Sequence, residues 1–129
     1  MSDVSEVGAH ERDEIRLTLP ALPDYARIAR LAITSLAARV GFTYDEVEDV
    51  RIAVGEICNV LLDASGGRLS FRCLIDGNQL TVEAIRTPLS GGFTVTELSR
   101  QILDAVLDEV EIDEEQGALR AVKRRVLPS

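Results

Sequence analysis

In the stretch Arg51-Ile-Ala-Val-Gly-Glu-Ile-Cys-Asn-Val-Leu-Leu-Asp63, Glu56 and Asn59 interrupt an otherwise apolar run. On a helix, a carboxylate and an amide three residues apart project from neighbouring positions on one side, so both can reach one ligand or one metal ion. Burying either group without a partner costs roughly 1 to 3 kcal/mol. The pair is therefore either satisfied inside the fold or lines a cleft. Asp49 and Asp63 fall along the same stripe. The plain structural alternative is a solvated helix face whose amide bonds a neighbouring loop.

The helix that must carry these groups is strongly signalled. Thr43 and Glu46 have capping-box spacing, Phe42 and Val47 have hydrophobic-staple spacing, and Asp45, Glu46 and Asp49 put negative charge at the positive helix end. Val47, Val50, Val54, Ile57 and Leu61 follow helical spacing and should face a sheet, with the helix running to about Asp63. A preceding helix is predicted over Tyr25 to Val40, with Asp24 as N-cap, Gly41 as stop, and Ile28, Leu31, Ala32 and Leu36 as its apolar stripe.

Strands surround this helical pair. Glu14 to Leu19 alternates with period two, as do Arg68 to Ile75 and Gln79 to Arg86, the latter two joined by Asp76-Gly77-Asn78. Leu80, Val82 and Ala84 share one face, which Arg86 continues if no bulge intervenes. Thr87 to Phe93 has loop composition. Thr94 and Glu97 repeat capping-box spacing ahead of a third helix reaching about Asp108, with Leu98, Ile102, Ala105 and Val106 as its stripe. Val110 to Asp113 and Ala118 to Val126 read as a closing hairpin. The order strand, helix, helix, strand, strand, helix, strand, strand implies an α+β two-layer sandwich, helices on one face of a mostly antiparallel sheet. Residues 1 to 13 read as a flexible leader and 14 to 129 as a single domain.

Composition limits the partners. Fourteen basic against 22 acidic residues give a formal charge of -8, which opposes approach to a phosphate backbone. The one dense basic run, Lys123-Arg124-Arg125, is expected at a solvated strand edge. No apolar run is long enough to span a membrane, and the polar leader has no secretory form. Cys58, Cys73 and the single His10 fit no metal-ligand spacing, and buried free thiols suit a reducing, cytoplasmic setting.

Glu48-Asp-Val-Arg-Ile-Ala-Val-Gly-Glu-Ile-Cys-Asn59 resembles the first nucleotide-binding box of bacterial RsbW-type anti-sigma factors, members of the GHKL (histidine kinase-like ATPase) superfamily, and the order of elements agrees along most of the chain. The resemblance implies that Glu56 is the catalytic general base, that Asn59 coordinates the magnesium bound to ATP phosphates, and that Asp63, Arg86, Gly91, Gly92 and Gly117 lie at the nucleotide. Such chemistry is sensible, since an oxygen donor suits hard magnesium and a carboxylate can take the proton of an attacking serine hydroxyl. It also implies a sigma factor and an anti-anti-sigma protein as partners, and a homodimer.

The later boxes depart from the family pattern. Where the family has an aspartate that reads the adenine amino group, this chain has Arg86-Thr87-Pro88, and arginine offers donors only. The glycine-rich opening of the third helix is replaced by Leu98-Ser-Arg-Gln-Ile102. Gly91-Gly92 is a remnant of the lid, and a hairpin turn alone would account for Gly117. The expected function is that of an anti-sigma-like regulator acting by partner switching, with weakened or lost ATP binding. The alternatives are an active serine kinase using Mg-ATP, and an unrelated α+β interaction domain.

Overall fold

The computed structural model describes residues 12–62, 66–87 and 94–126. Strand β1 (Arg12–Pro20) leads through a 3-10 turn (Pro23–Tyr25) into α1 (Ala26–Val40) and α2 (Tyr44–Leu61). The hairpin β2 (Arg68–Asp76) and β3 (Gln79–Thr87) follows, then α3 (Glu97–Val106), β4 (Glu109–Asp113) and β5 (Ala118–Arg124). The five strands form one sheet in the order β1-β2-β3-β5-β4, each neighbouring pair antiparallel. The expected α+β architecture is the one observed. β1 begins at Arg12, so two residues assigned to the leader belong to the sheet; residues 1–11 lie outside the described set.

Period-two alternation decides which strand residues meet the helices. Leu69, Phe71 and Cys73 of β2 and Leu80, Val82 and Ala84 of β3 are buried, as are Ile33 of α1, Val54, Ile57 and Leu61 of α2, and Leu103 of α3. The α2 stripe is the one the spacing predicts. Its start is fixed by a complete capping box: the Glu46 N–H donates to Thr43 Oγ1 at 3.2 Å, and the Thr43 N–H donates to Glu46 Oε1 at 2.7 Å.

Three local expectations are corrected. In α1 the buried residues are Ala29, Ile33, Ala37 and Val40, while Ile28 and Leu31 are exposed, so the inward face lies one residue round from the expected stripe. It starts on the 3-10 turn, and its N-cap is Tyr25 with no side-chain bond rather than Asp24. In α3 the cap is Thr96, not Thr94, because the Val95 N–H is drawn out to the Glu114 carboxylate at 2.8 Å; the helix then buries Leu103 and exposes Leu98 and Ala105. Finally, β5 is an inner strand between β3 and β4. Lys123 points to the helices, with a side chain only 14% exposed, and donates to Asp49 Oδ2 at 2.8 Å and to the Val106 carbonyl at 2.9 Å.

None of the described helices is long and apolar enough to cross a membrane. Both cysteines are free and buried, and burial pushes their thiols up to about 11.

Candidate functional site

Glu56 lies in the middle of α2 on the side that meets α3, and is half-buried. Its Oε2 accepts the Ser99 hydroxyl at 2.5 Å, inside the range of charge-assisted O–H···O bonds. Ser99 is the third residue of α3, and the cap holds it from both ends. Its N–H donates to Thr96 Oγ1 at 3.1 Å, and the Thr96 hydroxyl donates to Ser99 Oγ at 3.1 Å. A relay Thr96, Ser99, Glu56 therefore joins the first turn of α3 to the middle of α2, each bond polarising the next.

Asn59 does not join this relay. Three residues at 3.6 per turn place it roughly 60° round the helix from Glu56, and its side chain is exposed with no hydrogen-bond partner among the described residues. The residue one turn on from Glu56, on the same face, is Val60, half-buried and packed against the core. It offers no oxygen donor.

Arg86 continues the core face of β3, as the unbulged register requires, and is only 3% exposed. Its Nη1 donates to the Leu61 carbonyl at 3.3 Å and its Nη2 to the Gly66 carbonyl at 2.8 Å. Leu61 ends α2, where unsatisfied carbonyls carry partial negative charge, so a guanidinium is well suited to this position. The Arg86 N–H donates to the Gly117 carbonyl at 3.0 Å. Gly117, at φ 66, sits in the β4–β5 turn directly beside Arg86. The structure thus brings Arg86 and Gly117 together at the end of α2, and Glu56 and Ser99 together further up it. Asp63, Gly91 and Gly92 lie outside the described residues.

Asn59 is exposed on α2, Val60 follows Glu56 one turn on, and among the described residues the Arg86 guanidinium donates to the Leu61 and Gly66 carbonyls. Among the described residues no group of three or more His, Cys, Asp or Glu is placed to hold a metal ion.

Sequence reasoning missed Ser99 and Thr96. Their spacing, a hydroxyl at N-cap and another at the third helical residue, was a signal for the cap, but nothing local pointed to a carboxylate 43 residues away. It also missed a second use of Glu46. Burial raises this carboxyl's pKa, yet the N–H groups of Thr43 and Val126, the Thr43 hydroxyl and the charge of Lys123 outweigh burial and hold it below the ordinary carboxylate value.

No protein-family model matches the chain. It is 28% identical over 137 residues to the serine-protein kinase RsbW of Halalkalibacterium halodurans, covering 89% of this chain and 85% of that protein. It is likewise 28% identical over 136 residues to RsbW of Bacillus subtilis, covering 87% and 85%. Against RsbW of Listeria monocytogenes serotype 4a the identity is 40% over 72 residues, covering 55% of this chain and 41% of that protein. A crystal structure of the RsbU and RsbW domains of a Mycobacterium tuberculosis protein superposes with a TM-score of 0.63 at 17% identity; it covers 91% of this chain and 35% of the solved one, and shows the fold. Fold and element order are those of the solved RsbW domain. In sequence the chain is similar to the RsbW serine-protein kinases along most of its length.

Proposed function

We propose that the chain is an anti-sigma-like regulator that works by partner switching, binding a sigma factor in one state and an anti-anti-sigma protein in another, with ATP binding weakened or lost. The similarity to RsbW supports the protein class. The observation that carries the loss of nucleotide is Arg86: where the family pattern calls for a hydrogen-bond acceptor, a buried guanidinium is bound to the Leu61 and Gly66 carbonyls. Partner exchange needs no catalysis. One partner displaces the other through a difference in binding free energy at shared or mutually occluded surfaces.

Calorimetry with Mg-ATP on the full chain tests the nucleotide half, with no binding in the low-micromolar range as the expected result. A pull-down from native extract that recovers neither a sigma factor nor an anti-anti-sigma protein would remove the regulatory half.

A second reading, an active serine kinase, draws on Glu56 accepting a serine hydroxyl at 2.5 Å, within the reach a general base needs. Phosphate transfer to an anti-anti-sigma protein that is abolished in Glu56→Ala, with sigma binding retained, would favour it.

For self-association, the open face of the sheet is the surface we favour. Its register lines up Arg16, Arg72, Glu83, Arg120 and Glu111 in one row. Charges of both signs are interspersed across it: Glu14 pairs with Arg16 and Arg72, Glu83 with Arg72, and Arg120 with Glu109 and Glu111. Two copies laid face to face would exchange such pairs between them. Arg72→Glu should then shift sedimentation toward the monomer.

A further inference from the structure

The Ser99 hydroxyl stands in the same relation to Glu56 that an acceptor hydroxyl must take to a general base: an O–H donating to a carboxylate oxygen, here at 2.5 Å. This serine belongs to the chain itself. It is presented on the first turn of α3, with its backbone and hydroxyl both held by Thr96. No other hydrogen bond to the Glu56 carboxylate is formed by the described residues, and the group is half-buried between α2 and α3. With this bond made, one oxygen of Glu56 already carries a serine hydroxyl of the chain itself.

We propose that Ser99 is an internal acceptor mimic, so that the chain's own α3 turn and a serine-bearing segment of a partner compete for the Glu56 carboxylate. This rests on the reading of Glu56 as the carboxylate a partner serine approaches. It adds that access is set from within the chain, by whether the Ser99 bond is made. The bond is worth enough to matter, because a hydrogen bond to a charged acceptor is among the stronger kinds and its loss leaves the half-buried carboxylate without a donor. Both helices are otherwise built without it. The cap of α3 keeps the Thr96 acceptor whatever residue stands at position 99, since that bond comes from the backbone N–H.

Two measurements on the full chain test the proposal. In hydrogen exchange, Ser99→Ala and Glu56→Ala should each speed exchange at the amides of Ser99 (or its replacement), Arg100 and Gln101 by about tenfold, equivalent to roughly 1.4 kcal/mol. Ser99→Thr and Glu56→Gln, which keep a hydroxyl donor and an oxygen acceptor, should stay near wild type. Unchanged exchange in both alanine variants would overturn the latch and leave the regulatory reading untouched.

The second measurement uses a purified anti-anti-sigma protein and its form with the acceptor serine replaced by alanine. Ser99→Ala should bind the serine form about tenfold more tightly than wild type does, and the gain should vanish with the alanine form. A gain that persists with the alanine form, or no gain at all, would overturn the competition. Failure of every chain variant to bind the anti-anti-sigma protein would instead remove the partner reading on which the proposal rests.

Discussion

The backbone N–H of Val126 donates to Glu46 Oε2 at 2.7 Å, while the other oxygen of the same carboxylate accepts the Thr43 N–H at 2.7 Å. One buried side chain thus closes the start of α2 and anchors the chain just beyond β5. Glu46→Ala removes a charged acceptor from two backbone donors and should cost about 2 to 4 kcal/mol, read as a lower urea midpoint at unchanged slope. The pH dependence has a definite sign. The folded carboxyl titrates below its ordinary value, so its contribution is present above the unfolded pKa and is lost as pH falls through the folded one. The stability gap between wild type and Glu46→Gln should therefore be full at neutral pH and shrink below about pH 4.

Arg86 predicts an order of stabilities. Among the described residues its side chain donates to the Leu61 and Gly66 carbonyls, so Arg86→Gln keeps some donor capacity, Arg86→Ala keeps none, and Arg86→Asp sets a carboxylate against those oxygen atoms. Thermal unfolding should fall in that order. The alanine variant should lose about 2 to 4 kcal/mol, as expected when buried carbonyls lose their partners. An aspartate variant as stable as wild type would mean that the guanidinium does not hold the end of α2.

Two glycines should respond in opposite senses to alanine. Gly41 caps α1 at φ 95, and a Cβ there would meet Arg125 Nη1 at 2.8 Å, so Gly41→Ala should destabilise by about 1 kcal/mol or more. Gly55 lies inside α2, where a Cβ would meet only Arg30 Cδ at 3.6 Å, ordinary contact. Gly55→Ala should stabilise by about 0.5 to 1 kcal/mol, from helix propensity. Urea midpoints of both variants check the pair.

Buried thiols give a chemical test of the core. Cys58 and Cys73 have thiols pushed up to about 11 by burial, so little thiolate forms near neutral pH and the reagent cannot reach it. Native protein should react with a thiol-disulfide reagent only at the rate of unfolding, and both thiols should react at once in denaturant. Rapid native labelling of either cysteine would contradict the observed packing.

What could be read from the sequence follows the range of the forces involved. The capping box of α2 and the alternation of β2 and β3 depend on neighbours in sequence, and both appear where spacing put them. The facing of Arg86 followed from the same alternation. The inward face of α1 is the one with Ala29, Ile33, Ala37 and Val40, one residue round from the expected stripe, because the apolar residues run nearly all round this helix and its packing partners choose among them. The start of α3 was decided by Glu114, a residue on the distant β4–β5 turn that draws Val95 out of the helix. At the candidate site the same division holds: Glu56 was visible as a carboxylate in an apolar run, but its partner Ser99 comes from another helix.

The basic run at the end of β5 supplies the sharpest contrast between neighbours. Arg124 is exposed and pairs with Glu109, also exposed, so Arg124→Ala should change stability by no more than about 0.5 kcal/mol. Lys123 is enclosed and joins three elements, taking the Asp49 carboxylate of α2 and the Val106 carbonyl that ends α3. A cation there also meets the negative end of the α3 dipole. Lys123→Met keeps the aliphatic stem but loses both bonds, and should cost about 1 to 3 kcal/mol. Asp49 is more open to water than Lys123, so Asp49→Asn should cost less. In a double-mutant cycle the two changes should couple by about 0.5 kcal/mol or more. Additive costs would mean that Lys123 is held by the Val106 carbonyl alone, and a cost for Lys123→Met no larger than for Arg124→Ala would return the whole run to a solvated surface.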